Sequence, residues 1–226
     1  MKTAIALAVL FLAYPIIFSN AFYLDIGVTL LLAAISASAW NLVGGYAGQV
    51  SVGHCMFFGI GAYLPLLFFT QWQLPPLFGV PAAVALSLVL AIAVGMPTFR
   101  LQGHYFSMAT IAVGELIRQL AGIWDFVGAA IGLQGPAVGR GWYDLTFRSE
   151  VPYYYIFLVV LAVLLFVTFA IERTRFGYYL RAIKAGERAA RSLGVPVRRT
   201  KLAALMLSAT FTSIAGSLYA IKTGFI

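Results

Sequence analysis

Three stretches of twenty residues, Leu77 to Met96, Pro152 to Ile171 and Leu202 to Ile221, contain no charged side chain and are apolar on all sides. A helix needs about 20 such residues to cross the hydrocarbon layer of a bilayer. No water is there to satisfy a bare backbone, so only helices or closed barrels span it. A barrel would alternate apolar and polar positions over segments of about ten residues, and these runs do not. With 62% apolar and 10% charged residues, the chain also has too little polar side chain to cover a soluble globule, for which about 25% charged is usual. The expected fold is an all-α, polytopic transmembrane helical bundle, a single membrane domain over residues 1–226.

About seven spans are predicted. Residues 4–20 follow Lys2 and form the first, with Pro15 tolerable inside a membrane helix. A signal peptide is the rival reading, with Ser19-Asn20-Ala21 as its cleavage motif. Ile26 to Val43 is the second span. It ends in Gly44-Gly45-Tyr46-Ala47-Gly48-Gln49, and small and polar residues continue through Val50, Ser51, Val52, Gly53 and His54. The third run, Cys55 to Phe69, is short for a crossing unless it begins at Ser51. Glycine-interrupted, short segments of this kind suit broken or re-entrant helices. Leu77 to Met96 is the fourth span and His104 or Tyr105 to about Gly122 the fifth. Residues 123–151, with Gly128, Gly139, Arg140, Trp142 and Tyr143, suit an interfacial loop or partial helix. Tyr153 to Ile171 is the sixth span, opened by an aromatic belt of Tyr153, Tyr154 and Tyr155. Leu202 to Ile221 is the seventh.

Charge is concentrated between the last two. From Glu172 to Lys201 there are nine basic residues (Arg173, Arg175, Arg181, Lys184, Arg188, Arg191, Arg198, Arg199 and Lys201) and two acidic ones, so this segment carries +7 of the chain's formal +8. A short, strongly basic loop between spans stays on the cytoplasmic side. Counting spans backwards then places Arg100, Lys2 and the N-terminus on that side too. Tyr179 to Gly194 reads as one interfacial helix. Tyr179, Ile183, Ala190 and Leu193 share one face, and Arg181, Lys184, Arg188 and Arg191 share another. Two readings stay open: cations meeting anionic lipid, at about 1 kcal/mol per residue, or a docking element for a cytoplasmic partner.

Other polar residues are few. Glu115 and Arg118, three apart, can pair on one face of span five, either to hold helices together or along a polar path. His54 reads as a structural histidine bonded to helix ends broken by glycine. With His104 as the only other histidine and Cys55 as the only cysteine, metal binding is not expected and no internal disulfide can form. The chain has no G-x-x-x-x-G-K-[ST] phosphate loop, so it cannot hydrolyse ATP by that route.

Four stretches resemble one family: Asn41 to His54; Phe57-Phe58-Gly59-Ile60-Gly61-Ala62-Tyr63; Tyr105 to Arg118 with Gly114-Glu115; and Arg175-Phe176-Gly177 through Gly194. In order and spacing they are similar to LivM-like permease subunits of the ABC importers for branched-chain amino acids. The resemblance implies that residues 172–201 form a coupling loop that rests on an ATPase subunit, through Arg181, Lys184, Glu187, Arg188, Ala189, Ala190, Arg191 and Gly194. Importer permeases carry Glu-Ala-Ala, three residues, Gly there. Ala189, Ala190 and Gly194 match, while Arg188 replaces the glutamate, which comes one position earlier as Glu187. The small and polar residues Gly44, Gly48, Ser51, Gly53, His54, Gly59 and Gly61, with Glu115 and Arg118, are expected to line a translocation path or to pack helices.

The implied partners are a second permease subunit, two ATPase subunits that use ATP, and a periplasmic or lipid-anchored binding protein, in a bacterial inner membrane. The chain itself is expected to be a transport subunit rather than an enzyme, with no bound cofactor. Members of the family usually continue beyond the part matching Ile226, so a chain truncated relative to the family is expected. Alternatives are a permease for urea or short amides, an ion-coupled secondary transporter with Glu115 as its acidic residue, and a membrane scaffold or sensor.

Overall fold

In a computed structural model, residues 2–18, 20–101, 103–135, 141 and 144–226 are described, residues 2–9 by backbone alone. Among them the apolar runs and the basic segment form nine α-helices: α1 (Lys2–Ile17), α2 (Ala21–Asn41), α3 (Cys55–Trp72), α4 (Pro76–Thr98), α5 (His104–Ile123), α6 (Glu150–Glu172), α7 (Arg175–Ala185), α8 (Glu187–Ser192) and α9 (Val197–Thr223). Their starts follow local chemistry. Asn20 Oδ1 accepts the Phe22 N–H at 3.0 Å and Ser149 Oγ accepts that of Val151 at 3.3 Å, each satisfying a donor that a helix start leaves free. Pro76 opens α4, where its missing N–H costs nothing.

Six described helices, α2 to α6 and α9, are long and apolar enough to cross a membrane, against the seven or so expected. The difference is α1. Its 16 residues rise about 24 Å, short of a hydrocarbon layer of about 30 Å, because the chain turns at Asn20 to cap α2. Ser19 of the alternative cleavage motif lies outside the described residues, as do Gly139, Arg140, Trp142 and Tyr143.

The bundle is built around α9. Within its most apolar 18 residues 72% are buried, against 17% in the more hydrophobic α6. Hydropathy alone therefore does not decide which helix is central. In lipid, apolar side chains gain little from leaving one apolar medium for another, and small residues that allow close approach decide packing instead. Ala204, Ser208, Ala209, Ser213, Ala215, Gly216 and Ser217 of α9 are all buried. A Cβ added to Gly61 of α3 would stand 2.1 Å from the Ser213 carbonyl oxygen, and one added to Gly216 would stand 2.1 Å from that of Phe58. The two backbones touch. On one flank, Val28, Leu31 and Ile35 of α2 pack with Phe157 and Leu164 of α6. On another, Phe57, Ala91, Phe99, Phe106 and Leu205 join α3, α4, α5 and α9.

Two expectations change in the folded chain and a third gains detail. The third span does not reach back to Ser51; it begins at Cys55 and gains length at its far end, to Trp72. The tyrosines that open α6 also tie other elements to it. Tyr153 Oη accepts the Phe147 N–H at 3.0 Å, while Tyr154 and Tyr155 donate to the Phe11 and Leu12 carbonyls at 3.0 and 3.2 Å. A buried phenol needs a partner, and these use theirs to hold α1 and the preceding loop.

The basic segment, lastly, is two helices rather than one, divided at Gly186, which is extended at φ 175° and ψ 109°. Its buried face keeps Ile183 and Ala190 of the expected one but not Tyr179 or Leu193. Gly177, Leu180, Ile183 and Ala190 turn inward, whereas Tyr179 is 37% and Leu193 82% exposed. The seat selects this face: a Cβ on Gly177 would meet the Ile171 carbonyl oxygen at 2.4 Å, so α7 docks on the end of α6 by its glycine edge.

At the opposite end, Lys222 of α9 pairs with Asp25 of α2 and lies 3.4 Å from Glu150 of α6. Residues of the 124–149 loop close beside it. Leu133 and Ile226 exchange backbone hydrogen bonds at 2.9 and 3.1 Å, and Gly135 donates to Gly224 at 2.8 Å.

Candidate functional site

The polar stretch after α2 positions most of the residues singled out in the sequence. The helix widens to a π-turn over Leu42–Tyr46 and then breaks. Gly48 has φ +66°, and a Cβ there would lie 3.2 Å from Lys184 Cγ and 3.5 Å from Lys184 Cα. Both the left-handed backbone and the approach of α7 require glycine at this point. Tyr46 donates to Glu172 Oε1 at 2.6 Å, and Arg181 stands 3.9 Å from the same oxygen. The first turns of α7 are thereby tied to the break.

From Gly48 the irregular segment of residues 50–53 runs along α5. Ser107 Oγ donates to the Val50 carbonyl at 2.6 Å, and the Val52 N–H donates to Thr110 Oγ1 at 3.2 Å. A Cβ on Gly53 would come within 2.3 Å of the Thr110 carbonyl oxygen. Behind it, Trp40 Nε1 donates to the Ser51 carbonyl at 2.6 Å. Nothing lies within 4 Å of a Cβ at Gly59, so Gly59 and Gly61, two residues apart, have opposite surroundings.

His54 closes the break. Its Nδ1 is 2.9 Å from Ser51 Oγ and its Nε2 is 2.8 Å from Ser208 Oγ, which donates to the Ala39 carbonyl at 2.6 Å. One imidazole therefore links the segment after the break, α9 and the last turns of α2. Burial pushes its pKa down to about 4, because a cation here would lose its hydration.

Glu115 and Arg118 do pair on α5, Nε to Oε2 at 2.8 Å and Nη2 to Oε1 at 2.6 Å, and Gln119 adds a third bond at 3.0 Å. The group is turned away from the bundle, with the Arg118 side chain 72% and that of Glu115 45% exposed. It interrupts a face that also shows Met108, Ile111, Leu116 and Leu120.

In the basic segment, Arg181, Lys184, Arg188, Ala189, Arg191 and Gly194 are exposed and Ala190 is buried. Glu187 is neither free nor pointed outward. It accepts from Lys201 Nζ at 2.5 Å and from Arg191 Nη2 at 3.2 Å, and the Lys201 side chain is 1% exposed. Sequence reasoning counted Lys201 only among nine loop cations. Its register held the signal: Val197, Lys201, Ala204, Ser208, Phe211 and Ala215, three or four apart, trace the buried stripe of α9. Ser208 was missed for the same reason, since its partner His54 is 154 residues away.

Six crossing helices around a small-residue axis, with a basic helix pair seated on a break in the second helix, define a multi-pass α-helical membrane protein. The family model for "Branched-chain amino acid transport system / permease component" matches residues 22–226, and the chain belongs to this family of transport permeases. It is similar to the high-affinity branched-chain amino acid transport system permease protein LivM of Escherichia coli (strain K12), 31% identical over 252 residues. The protein of that name from Salmonella typhimurium (strain LT2) is 30% identical over 244 residues. In each case the match takes in 98% of this chain and 57% of the relative, so the chain spans little more than half the length of these relatives. No solved structure matches it significantly.

Proposed function

We propose that this chain belongs to a permease subunit of an ABC importer in a bacterial inner membrane, carrying branched-chain amino acids. The basic helix pair faces the cytosol with the N-terminus on the same side. It works with a second permease subunit, two ATPase subunits that bind and hydrolyse ATP, and an external binding protein that delivers the substrate.

One observation supports this reading above the rest: the basic segment is two-sided. Arg181, Lys184 and Arg188 are exposed, where a soluble partner can reach them, while Arg181 also approaches Glu172 and the root of Lys184 rests against Gly48. The inward side of α7 is held through Tyr46, Glu172 and Gly48 to the break after α2, and the break is bonded to α5. A push on α7 thus has a short, hydrogen-bonded route to α5. The exposed face of α5 carries the Glu115–Arg118 pair. Charges in hydrocarbon cost a few kcal/mol each, so this face belongs against the second permease or an aqueous path. There a zwitterionic amino acid would find both signs.

Reversing the charges of Arg181, Lys184 and Arg188 together tests the coupling. The expected result is loss of ATPase copurification or of substrate-stimulated hydrolysis, with the permease still inserted. Intact assembly and transport would overturn it. A cysteine placed at Lys184 should be protected from impermeant reagents outside intact cells, and labelling from outside would reverse the orientation.

A further inference from the structure

Beside the start of α9 the surface holds two shallow hollows that meet at Pro196 and Arg199. The first, of about 340 Å³, is lined by Arg191, Val195, Pro196, Val197, Arg198 and Arg199. The second, of about 250 Å³, is lined by Phe176, Tyr179, Pro196, Arg199, Thr200 and Ala203. One is cationic and the other almost wholly apolar.

Their charges are not equally available. Lys201 and Arg191 are engaged by Glu187, while Arg198 and Arg199 make no ion pair among the described residues and are exposed. The level of the groove along α9 is also defined. Charged residues end at Lys201, and from Leu202 to Ile221 the helix carries none. Arg199 and Ala203, one turn apart, straddle the boundary between the headgroup layer and the hydrocarbon.

From this juxtaposition of two unpaired guanidiniums with an apolar trough one turn deeper, we infer a binding site for an anionic phospholipid. The lipid phosphate sits between Arg198 and Arg199, and the first methylenes of an acyl chain lie along Phe176, Tyr179 and Ala203. Arginine suits a phosphate because its planar fork donates two parallel hydrogen bonds. A zwitterionic lipid fits less well, because it brings an ammonium group toward two cations. The bound lipid would bridge α7 and α9 on the membrane side, leaving the cations of Arg181, Lys184 and Arg188 to the proposed ATPase face. The inference does not depend on the identity of the transported substrate.

The test is native mass spectrometry of the detergent-extracted protein, titrated separately with phosphatidylglycerol, phosphatidylcholine and glycerol 3-phosphate. Wild type should retain phosphatidylglycerol in preference to phosphatidylcholine, and free glycerol 3-phosphate should not displace it. At about fivefold for each cation near the surface, Arg198→Ala with Arg199→Ala should weaken retention on the order of thirtyfold. Ala203→Trp should weaken it with both arginines present, because it fills the acyl trough. All three positions are exposed, and an unchanged elution profile and thermal midpoint would establish that the variants fold. Equal retention of the two lipids, displacement by glycerol 3-phosphate, or a double variant that keeps its phosphatidylglycerol would each overturn the site. So would a double variant that keeps the lipid and loses an ATPase subunit, which would make this face a protein contact.

Discussion

The ammonium of Lys201, on the first turns of α9, lies 2.5 Å from the carboxylate of Glu187 at the start of α8. The lysine is buried at 1% exposure, and its Nζ also sits 6.0 Å above the centre of the Phe99 ring. This pair, rather than the helix face alone, fastens α8 to the bundle. It also gives Glu187 a role as counter-ion to a cation inside the protein.

Glu187→Gln should therefore destabilise the protein strongly. Removing one member of a buried pair strands the other, at a typical cost of about 3–5 kcal/mol. Replacing both, with Lys201→Met and Glu187→Leu, should recover most of the loss, because an apolar pair of similar volume needs no desolvation. Thermal midpoints in detergent would test this, and a double variant no better than Glu187→Gln would refute it.

His54 makes stability depend on pH in a defined direction. Its folded pKa, near 4, lies below the ordinary value of 6.5. The unfolded chain then binds a proton between these values and the folded one does not, so stability is lost as pH falls through this window. Between pH 7 and 5 the contribution is roughly 2 kcal/mol. His54→Gln should flatten that part of the midpoint-against-pH curve. An unchanged slope would mean that other groups carry it.

Gly61 and Gly59 should respond oppositely to alanine. At Gly61 the added methyl meets the Ser213 backbone at 2.1 Å, and overpacking of this kind costs about 1–3 kcal/mol. At Gly59 it meets open space, and alanine is the better helix former by about 1 kcal/mol. Gly216→Ala should behave like Gly61→Ala. Comparable expression and midpoints for Gly59→Ala and Gly61→Ala would contradict the contact between α3 and α9.

Glu115→Ala and Arg118→Ala should leave the thermal midpoint where it is, because the pair is exposed and holds no second helix. If this face meets the substrate path or the second permease, each change should lower uptake or subunit recovery. Unaltered uptake and assembly would count against that placement.

What the sequence determined by itself was whatever depends on neighbours along the chain. Twenty-residue apolar runs made the class of fold unavoidable, and the glycine-rich stretch from Gly44 to Gly53 marked the break after α2. The spacing of Glu115 and Arg118 foretold their pairing, and the cations from Arg173 to Lys201 marked one end of the bundle. Tertiary structure alone decided which helix became the axis, because small side chains count only once another backbone lies against them, as Gly61 does against Ser213. It set the inward edge of α7 through the docking of Gly177 on Ile171, and made Tyr154 a clamp on Phe11. It also separated Lys201 from its eight basic neighbours. A charge can be buried only beside its counter-ion, and Glu187, fourteen residues earlier, is brought there by the fold.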